Sequence, residues 1–193
     1  MRTSCSQIAW GLGLTLFDLR IGGFDLLPDV LGFILILIGL SGLAALYGGF
    51  VLARSAALVL LIASVAELIG FRPPSVSITT ANHAYSFEGL STVALLTICT
   101  LAMLYGLCEG CAQLAIKSGR RELARSFRAA WMFNFVLGAT MLFVLPFGLN
   151  GHISFLVGTT ILTGLGQLAA GIWVIVLVRR LGRGPQSVDH VQL

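Results

Sequence analysis

The sequence is short of charge: 10% of its 193 residues are Asp, Glu, Lys or Arg, where soluble domains carry about a quarter. A soluble fold this poor in ionic groups has too little polar surface to cover itself. Lysine is almost missing, since Lys117 is the single one among twelve basic residues. Short alternating strands are missing too, which argues against a membrane barrel. No A-x-A site follows the apolar stretch in MRTSCSQIAWGLGLTLFDLR, and no lipoprotein-type leucine precedes Cys5, so this N-terminus reads as retained. Nucleophile motifs, Gly-rich phosphate loops, paired catalytic carboxylates and cofactor fingerprints are also absent. Gly11-Leu12-Gly13 lacks the strand–helix setting that nucleotide binding needs. No catalytic, cofactor-binding or metal-ligating residue is therefore assigned, and the chain reads as leaning away from an enzyme.

Abundant apolar sequence fills the space that charge leaves. Hydrophobic residues make up 57% of the chain, and the mean hydropathy is +0.96. Runs of roughly 20 apolar residues recur, each able to cross a bilayer core of about 30 Å as a helix. The expected fold is an all-α, polytopic integral membrane helix bundle in one domain, residues 1–193, with six apolar segments. They fall near 6–21, 27–47, 50–71, 88–115, 128–148 and 152–178, and the tail 181–193 is polar and loose. The first is short and ends at Asp18, so a half-helix or re-entrant element is an alternative to a full span. Segments two and three are joined only by Tyr47-Gly48-Gly49-Phe50 and form a hairpin. Pro73-Pro74 stops the third. KSGRRELARSFR is a basic connector between the fourth and fifth.

The net charge of +4 reflects topology, and nucleic acid is not an expected partner. With a cytoplasmic N-terminus and six spans, ten basic residues fall inside, and Arg20 and Arg72 fall outside. That bias fixes the orientation and places the C-terminus in the cytoplasm. The partner is the lipid bilayer. Arg121, Arg125 and Arg128 share one helical stripe and are candidate contacts for anionic lipid headgroups at the cytoplasmic face; the topological bias alone would also place them there.

GGFDLLPDVLG, residues 22–32, puts two carboxylates at the edge of an apolar run. A helix start explains them: Asp25 as N-cap, Pro28 in the first turn and Asp29 on the positive end of the helix dipole. A functional explanation gathers Asp18, Asp25, Asp29 and Glu67 as an outer-side polar cluster for protons or cations. Glu67 lies inside an apolar run, where an ionised group costs about 2.5–3.5 kcal/mol at mid-bilayer. A salt bridge to Arg20 or Arg72 is the structural alternative for it.

Cys108-Glu109-Gly110-Cys111 is a candidate thiol pair, with positions i and i+3 on one helical face. Packing, redox chemistry and metal binding are its three readings, and packing is favoured because thiols at an inner helix end stay reduced. Glu109 is expected to reach the interface or pair with a basic connector residue. Small residues recur as Ala102, Gly106, Gly110 and as Ser41, Ala45, Gly49, rows that suit close helix approach within the chain or in a homo-oligomer. Asn134 and Gln167 are expected to hydrogen-bond neighbouring helices.

Asp18, Ile21-Gly22-Gly23-Phe24-Asp25-Leu26-Leu27-Pro28-Asp29 and Gly32 resemble the N-terminal signature, GGFD-x-LPD-x-x-G, of small, uncharacterised bacterial multi-pass membrane proteins. The resemblance covers the first 50 residues or so and implies a bacterial cytoplasmic membrane location. Three functions stand as expectations: a non-enzymatic structural, regulatory or assembly role, a small transporter or channel-like protein for protons or cations, and a membrane-embedded redox or lipid-directed enzyme.

Overall fold

The structure is a computed structural model that describes residues 2–16, 20–21, 24–25, 28–69, 87–149 and 153–184. Asp18, Arg72, most of the 72–89 loop and the tail from residue 185 lie outside the described residues, as do the side chains of Arg20 and Asp25. Among the described residues six α-helices carry the fold: α1 Arg2–Leu16, α2 Pro28–Ser41, α3 Gly48–Leu68, α4 Phe87–Lys117, α5 Arg121–Val144 and α6 Ile153–Gly182. A 3-10 turn, Leu145–Leu149, follows α5. Between α1 and α2, β1 Arg20–Ile21 and β2 Phe24–Asp25 form a two-residue antiparallel pair, with Arg20 opposite Asp25.

Among the described residues, four helices are long and apolar enough to cross a membrane, within Gly48–Leu68, Ser91–Lys117, Arg121–Phe147 and Gly158–Gly182. Two are not. The 15 residues of α1 and 14 of α2 rise only about 22 and 21 Å at 1.5 Å per residue. Large apolar side chains face outward along the long helices, among them Ile62 at 62%, Phe143 at 71% and Leu162 at 72% exposure. A water-soluble monomer does not carry such a girdle; lipid tails accommodate it.

Several boundaries differ from the sequence expectation. The second apolar segment does not continue to 47, because α2 ends at Ser41 and turns occupy 42–46. Gly39 and Gly42 weaken the helix there by about 1 kcal/mol each relative to alanine. The Ser41 hydroxyl also donates to the Ile38 carbonyl at 2.7 Å, offering the backbone a competing bond. Gly48 and Gly49 consequently open α3 instead of forming the turn, and Ser41, Ala45 and Gly49 do not share one helix. Asp25 is not the N-cap of α2; it sits in β2, three residues before the helix begins at Pro28. Asp29 does occupy the first turn.

The basic connector is also mostly helix. The turn between α4 and α5 is only Ser118-Gly119-Arg120. Arg120 N–H donates to the Ala115 carbonyl at 2.8 Å and Gly119 N–H to Ile116 at 2.9 Å, the pair of bonds that defines a Schellman motif. Gly119 has φ +73°, which costs an L-residue about 1–2 kcal/mol. Gly119→Val is expected to lose about that much stability, read as a lower midpoint of thermal unfolding in detergent micelles. An unchanged midpoint would remove this account of the turn.

Each helix packs against the next in sequence, and α6 returns to α1, so the six close into a ring. Glycines set the closest approaches. A β-carbon on Gly11 would lie 2.6 Å from the Gly32 carbonyl oxygen, joining α1 to α2 backbone to backbone. A β-carbon on Gly182 would lie 2.8 Å from Cys5 Cβ, joining the end of α6 to the start of α1. Successive helices run antiparallel, which collects Arg2, Lys117, Arg120, Arg121, Arg179, Arg180 and Arg183 at one end of the ring. There the Arg120 guanidinium donates to the carbonyls of Arg180 at 3.0 Å and Leu181 at 3.5 Å. A cation on the last carbonyls of α6 meets the negative end of its dipole. Arg179 stacks over the Trp10 ring, 5.2 Å from its centroid, a pairing suited to an interface.

Candidate functional site

Polar side chains inside an apolar bundle are expensive, so their positions narrow the search for a site. Asp29 is held by the start of α2, its Oδ1 buried. Thr15 comes from the last turn of α1, one helix away, and packs on α2: a β-carbon at Gly32 would lie 2.6 Å from Thr15 Cγ2. Thr97 and Thr100 lie three residues apart on α4 and so share a face. Asn134, only 4% exposed, comes from α5, and Gln167 from α6.

All six line one cavity of about 380 Å³ inside the ring, with aliphatic and aromatic walls that include Leu12, Phe33 and Val174. Five of the six helices contribute; α3 does not. The volume is at the small end of the range for ligand sites, about 300–1,000 Å³, and the mix of apolar wall with a few convergent polar groups is the usual one.

The hydroxyl protons are committed within their own helices. Thr97 donates to the Val93 carbonyl at 2.8 Å, Thr100 to Leu96 at 2.9 Å, and Thr15 to Leu12 at 3.2 Å. Asn134 Nδ2 donates to the Ala130 carbonyl at 2.9 Å, so this amide proton goes to its own helix, and among the described residues the side chain makes no hydrogen bond to a neighbouring helix. The three threonine hydroxyl oxygens are therefore left to accept.

The expected acidic cluster falls only partly within the described residues. Asp29 lines the cavity, whereas Glu67 sits exposed near the end of α3 and is not among the lining residues. Asp18 and the Asp25 side chain lie outside the described residues. Among the described residues, no three His, Cys, Asp or Glu side chains come together in a way that would hold a metal ion.

Cys108 and Cys111 are free thiols, 1% and 0% exposed, in the same buried core as Cys5, and they do not line the cavity. Glu109 approaches Arg128, Oε2 to Nε 3.7 Å, and accepts a 3.0 Å bond from Gln113. Arg125 pairs with Glu122 at 2.9 Å, with both side chains more than three-quarters exposed, so the pair adds little stability. Arg121, Arg125 and Arg128 thus line the first turns of α5 at the basic end of the ring, beside two carboxylates.

Sequence reasoning marked Asp29 within an acidic group and Asn134 and Gln167 as polar residues in apolar segments, and missed Thr15, Thr97 and Thr100. A signal existed, since two threonines at i and i+3 break the apolar run of α4 on one face. Only the ring closure shows that they meet the others. No family model matches this chain, and neither a search of curated proteins nor one of solved structures found a match.

Proposed function

We propose that the chain is a non-enzymatic integral membrane protein of the bacterial cytoplasmic membrane that takes up a small solute in the cavity at Asp29, in the manner of a small transporter or channel. One observation carries this reading: polar side chains from five helices converge on a single cavity inside an otherwise apolar ring. The arginine-bearing end and the C-terminus are cytoplasmic, following the positive-inside bias.

The short helices support it. The start of α2 is separated from its arginine-side end by 14 residues, about 21 Å, so Asp29 lies within a hydrocarbon layer of about 30 Å. A carboxylate kept at such depth is by default a working residue. The α1–α2 pair is then a short hairpin that brings Asp29 to the cavity that α4, α5 and α6 also line.

Accessibility tests the reading. In a chain with Cys99→Ala and Thr100→Cys, the new thiol is expected to react with neutral methyl methanethiosulfonate in native membranes, above the level of Cys99→Ala alone. No added labelling, at 100 or at a cysteine placed at 97, would defeat the proposal. A companion chain with Ser118→Cys is expected to react with an impermeant maleimide only after cells are opened; labelling on intact cells would reverse the orientation.

A further inference from the structure

The seam where α6 returns to α1 carries a second candidate site, on the outside of the ring and independent of the cavity. Its register follows from two contacts. A β-carbon on Gly182 would meet Cys5, and one on Gly171 would meet Leu16, so the two helices run antiparallel in constant register between these points. That register sets Arg179 level with Ile8, about one turn inside the arginine-bearing end of α6. Helical side chains lean toward the N-terminus of their helix, so Arg179 reaches away from that end, toward Trp10. It meets the indole 5.2 Å from the ring centroid, and both residues are exposed, Trp10 at 59%. An indole has no hydrogen-bond acceptor, so this contact holds the guanidinium without drawing on its five N–H donors.

Charge and apolar surface continue from this pair in opposite directions. Toward the helix end, Arg183 follows at i+4, its N–H on the Arg179 carbonyl at 3.2 Å. Arg2 lies on the same α1 stripe as Ser6 and Trp10, and all of these are exposed. Toward the membrane interior, Val176 and Ile172 share the Arg179 stripe at i−3 and i−7 and are 40% and 41% exposed. Three guanidiniums above two aliphatic side chains match a molecule with phosphate at one end and hydrocarbon at the other. The guanidinium fork suits phosphate oxygens, which it can bind two at a time. A free phosphate makes no use of Val176 and Ile172, and a zwitterionic headgroup brings its own ammonium against three cations. We propose that the α1–α6 seam binds an anionic phospholipid, its phosphate on Arg179 beside Arg183 and Arg2, and an acyl chain along Val176 and Ile172. Trp10 positions Arg179 for it. The α5 arginines have another setting: Arg125 lies 2.9 Å from Glu122 and Arg128 3.7 Å from Glu109, so a phosphate there competes with a carboxylate.

Trp10 is the reporter for the test, because Trp131→Phe and Trp173→Phe leave it as the single tryptophan. Its fluorescence is measured in vesicles of phosphatidylglycerol and phosphatidylethanolamine, with one lipid or the other brominated on its acyl chain at equal mole fraction. Quenching is expected to give phosphatidylglycerol at least about fivefold the association constant of phosphatidylethanolamine, the effect of one basic residue near an anionic lipid. Arg179→Gln is expected to lower that preference about fivefold. Arg125→Gln, which removes the same charge from α5, is expected to leave it, as is inorganic phosphate at constant ionic strength. A second measurement decides if the double tryptophan substitution does not fold. In detergent micelles, phosphatidylglycerol is expected to raise the thermal midpoint of the native chain, as a ligand of the folded state does. Phosphatidylethanolamine is expected to raise it less, and Arg179→Gln to remove the difference. Equal effects of the two lipids, a preference that survives Arg179→Gln or falls equally in Arg125→Gln, or competition by free phosphate would overturn the inference.

Discussion

Gly106→Leu is expected to disrupt the bundle, with a loss of about 3 kcal/mol, the upper part of the range for overpacking. The reason is the kind of atom in the way. A β-carbon at Gly106 falls on the carbonyl oxygen of Gly49 and lies 2.6 Å from the Ala53 nitrogen. Both are backbone atoms of α3, and neither can rotate aside. One turn further, a β-carbon at Gly110 would meet the Phe50 ring at 2.7 Å, and Phe50 is fully buried. The α3–α4 contact has no slack along two successive turns.

Gly138 provides the comparison, because its β-carbon would meet Leu101 methyls at 2.8 Å, and a leucine on the cavity wall can change rotamer. Gly138→Ala should therefore cost less than Gly106→Ala. Gly164 has nothing within 4 Å of the same position, so Gly164→Ala should be neutral or gain up to about 1 kcal/mol from helix propensity. Thermal unfolding of the purified variants in one detergent, read beside size-exclusion profiles, gives the order. A Gly106→Leu chain that unfolds with the native one would refute the backbone-contact account.

The small residues at 106 and 110 could be recognised in the sequence, and their use within the chain follows from α3 and α4 being joined to neighbours in a ring. The class was legible for a similar reason. Charge this scarce and apolar runs this long leave an all-helical chain as the remaining solution, and six helices are present. Local chemistry set the boundaries that the sequence did not reveal. Segment two was read to residue 47 because Leu43 to Leu46 remain apolar, yet Gly39, Ser41 and Gly42 end the helix early. Hydropathy measures what a segment would bury, and helix termination depends on glycine entropy and a competing hydroxyl.

The cavity was legible only in pieces. Asp29 was marked as one of four acids with Asp18, Asp25 and Glu67, and Asn134 and Gln167 by their amides, with nothing to connect the acid to the amides. Thr15, Thr97 and Thr100 were not marked at all, since a threonine that bonds its own helix carries almost no hydropathy signal. Their convergence requires α6 to return to α1, a pairing of the chain's two ends that no local periodicity encodes. Glu67 stood out as a charge in an apolar run; it is exposed near the end of α3 and is not among the described residues lining the cavity.

Cys108 and Cys111 are expected to react with a bulky maleimide at least ~10³-fold more slowly than a cysteine at position 118, because attack requires the folded state to open and opening is that rare in stable domains. Both thiols are 1% exposed or less, and Cys5 and Leu107 belong to the same core. Sharing a face of α4 does not make them a working pair, since a redox partner needs a path to at least one sulfur, and the cavity wall does not include either. Sulfur here fills volume between helices as a small, polarizable apolar group. Cys111→Ala should then cost about 1 kcal/mol for the missing atom, and Cys111→Leu should cost more by overpacking. Addition of denaturant should release both thiols together with the unfolding transition. Rapid labelling of either in the native bundle, or a disulfide between them formed under mild oxidant without loss of the folded state, would reject packing and return the redox reading that their spacing in the sequence allows.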